Sequence, residues 1–524
     1  MKAKKFFSAI LSAVVLTAAA SAFPVNAEEN ETHCCPCNLV ETDDYTQLPF
    51  YEGNNVRPTT YALLPPSVDL SETIYFPEIG DQGGLGACVA FATTYYQYSY
   101  EVNRLNGITS DSQRVVYSPK WTFNILSGGT NEAIDKTYVY SLLESIGALK
   151  NEDFTYNGVD YTSLPTGMEA EKIEALKTRL ESVGTLSLPS SGTFITSASD
   201  TDLYGIKSAL NDGKVLTVST MFSFNIKYGY GTYDDQHIAY RCFTPEGNIG
   251  HAITVVGYDD NISCDVNGNG IIEECEKGAF KIANSWGTDY ANDGYIWILY
   301  DAINPISANT VNNWESTLSG TRRQALCTNS SPIFTYIDVA HKDLYYIGEV
   351  YMNTNYFNRT IIKKSRTSSI YAVSDSISIP PFNSIINYRS ALRPFDGIFL
   401  FDYGTLCSPI NYYLWGYIWK ASINLIGSSS SLFRIIDDKG HEIVGYEDED
   451  SERAASSEKT KIINTKFGDV DYDGILTQND YSLIQQYLVK SYSLSTLQKV
   501  LADYNQDGTI NIADSTAILA DKEA

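Results

Sequence analysis

The chain has 524 residues, more than a single hydrophobic core usually holds, so we expect about three folded units. It carries 63 acidic and 37 basic residues, and the net charge of −26 argues against nucleic acids and anionic membranes as partners. Hydrophobic residues make up 43% of the chain and there are 39 tyrosines, a composition typical of globular rather than disordered proteins.

The first 27 residues have the pattern of an export signal. Three lysines precede an apolar run over residues 6–20, and residues 25–27 offer a small-residue cleavage site, with 20–22 as a second candidate. The run is too short for a membrane anchor, and no later apolar stretch would span a bilayer. We therefore expect a secreted, extracellular protein in which residues 28–65 form an N-terminal extension or a short propeptide.

Nine cysteines in an exported chain permit disulfides, and the odd number leaves at least one without an intramolecular partner. Cys34, Cys35 and Cys37 cluster directly after the signal. Zinc ligation is a weak alternative for this cluster, because no nearby histidine pair completes a site. Cys88 is our candidate for the cysteine that keeps its thiol.

A glycine-rich loop over residues 80–86 leads into an apolar segment that starts at Ala87. Glycine permits the tight backbone turns of such a loop, and the run of Ala, Val, Phe and Tyr that follows favours a buried helix. Cys88 would lie at the start of this helix, where the helix dipole lowers the pKa of a thiol and favours the thiolate. Taken alone, the loop fits a structural cysteine equally well.

Two strand-like segments supply the groups that a reactive thiol needs. Residues 250–258 contain His251 within a β-branched run, and residues 280–287 contain Asn284 before a glycine turn. A nucleophilic thiol needs a base within hydrogen-bond reach, and the base needs a third group to orient it. Cys88, His251 and Asn284 can take these three roles, although a lone histidine on a strand is more often a core residue.

These segments resemble the papain family of cysteine peptidases over about residues 66–303. The matching residues are Gln82, 86–88, 90–92, 251–252, 256–258 and 284–287. By this resemblance Cys88 would be the nucleophile, His251 the general base and acid, and Asn284 the residue that orients the imidazole. Gln82 would form an oxyanion hole with the backbone N–H of Cys88.

The resemblance also implies residues that line the cleft. Trp286 would shield the hydrogen bond between histidine and asparagine. Gly128 and Gly129 resemble the glycine pair that binds the substrate backbone, with a plain turn as the equal alternative. The family usually has a cysteine where this chain has Leu85 and an aromatic residue where it has Val89.

The spacing from the candidate nucleophile to the candidate base also departs from the family. It is 163 residues here, against about 130–150 in the usual pattern, which predicts insertions between them. Residues 28–65 are too short to resemble the helical inhibitory propeptide of the family.

One insertion, residues 265–276, has the spacing of a calcium loop. Oxygen-bearing residues occupy alternate positions, a glycine stands at position 6, and a glutamate closes the loop. The candidate ligands are Asp265, Asn267, Asn269, Ile271 (through its carbonyl), Glu273 and Glu276. Cys264 and Cys275 flank the loop and could close it with a disulfide. The alternative is an acidic hairpin between the histidine and asparagine strands.

Residues 304–446 are dominated by aromatic and β-branched runs and predict a β-rich, sandwich-like accessory domain. Residues 433–444 have the pattern of a hairpin. Aromatic residues at 413, 415, 417 and 419 fall on one face of a possible strand, where a sandwich core is favoured over sugar binding. An acidic, serine-rich stretch makes residues 447–465 a predicted linker.

The segment 466–524 contains an internal repeat with an offset of 34 residues. Each copy is a 12-residue calcium loop followed by a helical pattern, and we predict no helix before either loop. The candidate ligands of the first copy are Asp469, Asp471, Asp473, Ile475, Thr477 and Asp480. Those of the second copy are Asp503, Asn505, Asp507, Thr509, Asn511 and Asp514.

The repeat closely resembles a type I dockerin, the module that binds exported enzymes to cohesin domains of a bacterial cellulosome scaffold. The resemblance implies two calcium ions and a cohesin partner. Positions 10 and 11 of each loop would contact cohesin, and here they are Gln478, Asn479, Ile512 and Ala513. Because these pairs differ, a symmetric two-way binding mode is not expected. Without calcium, the clustered carboxylates should unfold the module.

The expected fold is therefore α+β, with a two-lobed papain-like domain, a β-rich domain and a small α-helical dockerin. The expected function is that of a secreted, cellulosome-bound cysteine endopeptidase acting on proteins or peptides. The alternatives are an exopeptidase, or a catalytically weak papain-like domain that acts as a binding module or as the target of a protease inhibitor on the scaffold.

Overall fold

The structure is a computed structural model. The residues that it describes are 48, 51–54, 63–187, 203–221, 223–243, 250–266, 268–303, 333–354, 361–368, 372–379, 395–403, 419–426, 430–445, 458–463 and 465–522. The predicted export signal, the Cys34–Cys35–Cys37 cluster, most of the extension and residues 447–457 of the linker lie outside this part of the chain.

Apart from short 3₁₀ turns, the described residues form eight helices. In the first, α1, the α-helical segments Cys88–Ala90 and Ser99–Leu105 flank the π-helical segment Phe91–Tyr98. The others are α2 (Pro119–Leu126), α3 (Lys136–Ile146), α4 (Glu169–Lys177), α5 (Tyr204–Asn211), α6 (Gln478–Leu488), α7 (Thr496–Ala502) and α8 (Ile512–Lys522).

Several helix starts follow from local sequence. Ser118 accepts a hydrogen bond from the N–H of Trp121 and is followed by a proline, which suits the first turn of α2. Asp135 caps α3 in the same way through the N–H of Thr137, 2.7 Å away. These caps satisfy N–H groups that a helix cannot pair internally.

A ten-stranded mixed sheet, as far as the chain is described, forms the centre of the molecule. Its strands are β1 (Tyr51–Asn54), β2 (Ser67–Asp69), β3 (Thr178–Ser187), β4 (Leu216–Met221), β5 (Ser223–Tyr228), β6 (His237–Phe243), β7 (Gly250–Ser263), β8 (Lys277–Ala283), β9 (Tyr295–Leu299) and β10 (Ile333–His341). Their order is β1-β3-β10-β4-β7-β8-β9-β6-β5, and β2 pairs with β7. Helix α1 packs against β7 near the middle of this sheet.

Strand β10 lies within this sheet, although it belongs to the region that the sequence assigns to the accessory domain. It pairs antiparallel with β3 along its whole length and also meets β4. Gln97 of α1 donates hydrogen bonds from Nε2 to Thr335 O at 2.8 Å and to Val215 O at 3.1 Å. The helix, β4 and β10 are therefore joined by one buried amide, and the sheet boundary does not coincide with residue 303.

Two four-stranded antiparallel sheets account for the remaining described strands. One has the order β14-β11-β16-β17, and the other has the order β13-β12-β15-β18. The strands are β11 (Ile347–Thr354), β12 (Ile361–Ser368), β13 (Ala372–Ile379), β14 (Phe395–Asp402), β15 (Trp419–Ile426), β16 (Ser430–Ile436), β17 (Glu442–Val444) and β18 (Glu458–Ile463). The expectation of a β-rich region is confirmed, and β16 and β17 form a hairpin where one is predicted.

Two further findings concern predicted segments. Part of the predicted linker forms β18, which pairs with β15. The aromatic stripe at 413–419 lies outside the described residues, apart from the backbone of Trp419 in β15.

The C-terminal repeat forms a small helical unit with its own core. Val470, Ile484, Leu494, Ala502 and Ile518 are buried together in it. Helix α7 ends immediately before the second loop, so the prediction that no helix precedes either loop is wrong there. The helix begins at a capping box in which Ser495 and Gln498 bind each other's backbone N–H, and Leu494, Leu497 and Leu501 have the spacing of its buried side.

Candidate active site

His251 and Asn284 meet because their strands are antiparallel neighbours. His251 is the second residue of β7, and Asn284 follows the last residue of β8, so both stand at the same end of the sheet. His251 Nε2 lies 2.8 Å from Asn284 Oδ1. Both side chains are buried.

The hydrogen bonds around Asn284 determine which atom of the imidazole carries a proton. The backbone N–H of Ser285 donates to Asn284 Oδ1 at 2.8 Å, which identifies that atom as the acceptor. His251 Nε2 must therefore donate its proton to the same oxygen. In the neutral ring, this leaves Nδ1 as the atom that can accept a proton.

Trp286 covers the imidazole. Its ring stacks on that of His251 with the centroids 4.8 Å apart and an interplanar angle of 24°. The ring of Tyr290 packs edge-on against the indole of Trp286 with the centroids 4.8 Å apart. The ring centroid of Phe224 in β5 lies 6.2 Å from that of Trp286. This geometry fits the predicted shielding role of Trp286, which would strengthen the bond between His251 and Asn284 by keeping water from it.

Cys88 is the first residue of helix α1 and is fully buried. The first turn of this helix contacts β7, the strand of His251, and Thr254 Oγ1 of that strand donates to Ala92 O at 3.2 Å. The preceding loop is held by Asn131, whose side chain accepts from Gly86 N–H at 2.8 Å and donates to Gly84 O at 3.0 Å. Sequence reasoning missed Asn131, which belongs to no motif.

Gln82 is anchored from several directions and is fully buried. Its Nε2 donates to Leu85 O at 2.8 Å, and its Oε1 accepts from the hydroxyl of Ser285. Its backbone N–H donates to Ser285 O at 2.8 Å, and its carbonyl accepts from the hydroxyl of Tyr156 at 2.7 Å. Ser285 directly follows Asn284, so its two hydrogen bonds with Gln82 link the glutamine loop to the strand end that carries Asn284.

Tyr96 joins the two sides of the site in a second place, and sequence reasoning missed it as well. Its hydroxyl donates to Asn284 O at 2.7 Å and accepts from the N–H of Gly80 at 3.0 Å. Burial, above all, raises the pKa of Tyr96 well above its usual range, so it stays a neutral donor. The helix contains several tyrosines, so the sequence does not show which of them has this role. Only the three-dimensional position of Tyr96 reveals it.

Gly128 and Gly129 form a turn directly after α2. Their φ angles are 68° and 78°, a left-handed conformation that favours glycine. This backbone geometry explains why both positions are glycine. The contact of the two glycines with a substrate remains a prediction.

The two loops of the C-terminal repeat share one hydrogen-bond pattern. The first aspartate, at 469 or 503, accepts from the N–H of the glycine at position 6. The last aspartate, at 480 or 514, accepts from N–H groups at positions 3 and 9. Each loop therefore folds around its own carboxylates in the manner of a calcium loop.

The first loop has the ligand arrangement that a cation requires. Oxygen atoms of Asp469, Asp471 and Asp473 lie within 4.8 Å of one another. Asp469 Oδ1 is buried and has no hydrogen-bond partner among the described residues. Burial and the neighbouring carboxylates raise the pKa of Asp469 to about 6. A divalent cation would satisfy this oxygen and offset the repulsion.

The loop at 265–276 has the same pattern. Asp265 Oδ2 accepts from the N–H of Gly270 at 2.8 Å, and Glu276 accepts from Val266 N–H at 2.8 Å and Glu273 N–H at 3.1 Å. Burial and Glu273 raise the pKa of Glu276 to about 7. Asn267 and the side chain of Cys275 lie outside the described residues, so the predicted disulfide with Cys264 stays a prediction.

The positions predicted to bind cohesin lie at the starts of α6 and α8. Gln478, Asn479, Ile512 and Ala513 are all exposed. Ile512 has 59% of its surface accessible, which is unusual for an isoleucine.

Sequence comparison assigns both regions to families. Residues 64–321 match the sequence model of the papain family cysteine protease, and residues 467–519 match that of the dockerin type I domain. Thiol protease aleurain of Arabidopsis thaliana is 29% identical over 244 residues, covering 45% of this chain and 56% of the relative. A cathepsin L-like proteinase of Fasciola hepatica is 26% identical over 249 residues, covering 47% and 62%. The chain thus spans less than two thirds of the length of either relative.

Among solved structures, xylellain, a cysteine protease from Xylella fastidiosa, matches with 17% identity and a TM-score of 0.34, covering 54% of this chain and 90% of that one. Procathepsin B S9 from Trypanosoma congolense matches with 19% identity and a TM-score of 0.35, covering 54% and 82%. No helix in the described part of the chain is both long and apolar enough to cross a membrane. By the two family matches, residues 64–321 are a papain-like cysteine peptidase domain of α+β fold, and residues 467–519 are a type I dockerin domain.

Proposed function

We propose that this protein is a secreted cysteine endopeptidase that hydrolyses peptide bonds with Cys88, His251 and Asn284. The observation that carries the proposal is the 2.8 Å contact from His251 Nε2 to Asn284 Oδ1, beside the first turn of α1, which carries Cys88. This contact fixes the tautomer of the imidazole and leaves Nδ1 to exchange a proton with the thiol.

In the proposed reaction, the Cys88 thiolate attacks the carbonyl carbon of the scissile bond and forms a C–S bond. Protonated His251 donates its Nδ1 proton to the leaving amine as the C–N bond breaks. His251 then removes a proton from water, which attacks the thioester. The acid product leaves, and the thiolate and imidazolium are restored.

The oxyanion of each tetrahedral intermediate needs preorganised donors. We assign these to the backbone N–H of Cys88 and to the side-chain amide of Gln82, which carries two N–H bonds. The support is the fixed position of Gln82: one N–H of Nε2 donates to Leu85 O, Oε1 accepts from Ser285, and the backbone carbonyl accepts from Tyr156. Gly128 and Gly129 are proposed to bind the substrate backbone, and Trp286 to line the leaving-group side.

Cleavage of internally quenched peptides blocked at both ends tests the endopeptidase. The assay compares the secreted protein with a Cys88→Ala variant, under reducing conditions with calcium. Cys264→Ala is the matched control, because Cys264 is also buried but follows the last residue of β7, at the opposite end of the strand from His251. We expect turnover to vanish in Cys88→Ala and to persist in Cys264→Ala.

Two other outcomes would change the proposal. Turnover in Cys88→Ala equal to that of the original protein would rule out the thiol mechanism. No turnover from a folded protein that still binds cohesin would favour a binding module, provided that removal of residues 28–65 does not restore activity. Cleavage restricted to peptides with an unblocked end would indicate an exopeptidase.

We further propose that the dockerin binds two calcium ions and attaches the enzyme to a cohesin domain of a cellulosome scaffold. The first loop supports this through the unpaired Asp469 oxygen within a cluster of three aspartates. Binding to a panel of cohesins, with calcium and with chelator, tests it. Ile512→Asp should weaken the complex while leaving calcium binding intact, because Ile512 is exposed.

A third calcium ion is proposed for the loop at 265–276, because its hydrogen bonds repeat those of the dockerin loops. The loop connects β7 and β8, so an ion there would stabilise the strands of His251 and Asn284. Calorimetric titration should give three ions for the original protein and two for Asp265→Ala. Two ions in both proteins would leave an acidic hairpin as the correct description.

A further inference from the structure

The dockerin lies against the turn of the β16–β17 hairpin. We call residues 437–441 the docking turn. The hydroxyl of Tyr472 donates to Asp437 Oδ2 at 3.0 Å. Thr496 donates to Asp438 through its N–H at 2.8 Å and through its hydroxyl at 2.9 Å. Two consecutive aspartates of one turn therefore bind two separate segments of the dockerin.

The docking turn is organised around Asp437, which is fully buried. Its Oδ1 accepts from the N–H groups of Lys439 at 2.9 Å and His441 at 2.8 Å, and its Oδ2 lies 2.9 Å from His441 Nδ1. A buried carboxylate with several donors is held in one position. It thus offers a fixed acceptor to the dockerin.

Apolar contacts accompany these hydrogen bonds. Leu497 and Leu501 of α7 are fully buried, and they belong to the continuous core that the peptidase and β-rich regions share rather than to the separate core of the dockerin. At the entry to the dockerin, the hydroxyls of Tyr346 and Thr465 lie 2.8 Å apart. A contact that combines buried leucines with satisfied polar groups has the character of a stable domain interface.

Tyr472 connects this interface to calcium. It is position 4 of the first loop, between the candidate ligands Asp471 and Asp473, and its φ of 66° is left-handed. The equivalent residue of the second loop, Gln506, has a similar φ of 60° but is exposed. The two loops share a backbone geometry, yet in the first one the side chain at position 4 is held by the docking turn.

We propose that the docking turn holds the dockerin in one orientation and that this docking is coupled to calcium in the first loop. The inference rests on the proposed calcium binding. An ion that orders the loop also orders Tyr472, so calcium and docking favour each other by the same factor. The positions predicted to bind cohesin are exposed, so the peptidase would be presented to the scaffold in a fixed orientation.

Calcium titration of the full chain by calorimetry tests the coupling. Three variants are compared with the original protein: Tyr472→Phe, which removes one hydroxyl; Asp438→Ala, which acts from the β-rich side; and Gln506→Ala, the matched control in the second loop. We expect Tyr472→Phe and Asp438→Ala to weaken one of the dockerin sites about fivefold or more. Gln506→Ala should leave that site unchanged.

Small-angle scattering of the same proteins with calcium measures the docking itself. The original protein should be compact, and Asp438→Ala should show a larger radius of gyration while cohesin binding persists. Unchanged calcium affinities together with an unchanged radius in both docking variants would overturn the proposal. A chain whose dockerin loops bind no calcium at all would instead overturn the proposed function.

Discussion

The candidate active site and the candidate calcium loops of the dockerin are assembled over very different distances along the chain. His251 and Asn284 are 33 residues apart, and Gln82 reaches Ser285 across 203 residues. In the first calcium loop, by contrast, the carboxylate of Asp480 binds N–H groups that lie three to ten residues away. One site depends on the whole sheet, and the other on twelve consecutive residues.

This difference determines what stabilises each site. The side chains of the candidate active site are buried and ordered by protein groups such as Tyr96 and Ser285. In the first candidate calcium loop, the Asp469–Asp471–Asp473 cluster brings like charges together, and the proposed ion would offset their repulsion. Changes to distant strands should therefore damage the first site, whereas removal of calcium should damage the second.

Removal of β10 is expected to have the largest effect. A chain that ends at residue 321 contains the whole region matched to the papain family but lacks Ile333–His341. It would expose the full edge of β3, leave the Gln97 amide without Thr335 O, and lose the buried Phe334 and Ile337. We expect no folded peptidase, measured by thermal melting and by turnover.

The control for this truncation is a chain that ends at residue 463, which keeps β10 and removes only the dockerin. It should retain a cooperative melting transition and turnover. A folded, active chain ending at 321 would show that the catalytic site does not need the return of the chain to the sheet.

Removal of calcium should unfold the dockerin and leave the peptidase sheet folded, whereas removal of β10 should unfold the peptidase. With chelator, the dockerin helices α6 and α8 should lose protection in hydrogen exchange, and cohesin binding should vanish. The peptidase strands β3, β4 and β10 should keep their protection, because protein contacts alone order them. Equal loss of protection in both regions would contradict the separation of the two sites.

The same contrast explains what could be predicted from the sequence. The calcium loops are complete within 12 residues, so their ligands and turn glycines are visible as a repeat. The residues of the candidate active site carry motifs, but Tyr96, Asn131 and Ser285, which hold them in place, are ordinary residue types. Strand β10 has a strand-like sequence, yet nothing in it indicates that its partner is β3, about 150 residues earlier in the chain. Pairing partners and supporting contacts over such distances depend on the fold.

The contact of α4 with β14 is another long-range contact, and its contribution to stability should depend on pH. Lys172 Nζ donates to Ile398 O at 2.8 Å in apolar surroundings, and burial lowers the pKa of Lys172 to about 8. Between that value and its ordinary pKa of about 10.5, the folded chain binds fewer protons than the unfolded chain, so stability rises with pH. This group alone should add about 3 kcal/mol over that interval.

Lys172→Met tests this expectation. The variant should be more stable than the original protein at pH 7, and the difference should shrink as the pH rises towards 10.5. Melting temperatures of both proteins across this range provide the measurement. A constant difference across the range would show that the lysine is charged equally in the folded and unfolded states.

The smallest expected effect concerns the hydroxyl of Tyr96, which joins the loop of Gln82 to the backbone of Asn284. Tyr96→Phe leaves the buried carbonyl of Asn284 and the half-buried N–H of Gly80 without this partner, at a cost of about 1–3 kcal/mol. Tyr98→Phe is the matched control: that hydroxyl is also on α1 and bonds Thr178 O at 2.6 Å, but it serves β3 instead of the catalytic residues. Both variants should lower the melting temperature, whereas Tyr96→Phe alone should lower kcat, because it alone releases the backbone that positions Asn284. Equal kcat in the two variants would mean that Asn284 is held in position by the strand that precedes it and not by the hydroxyl of Tyr96 on the helix.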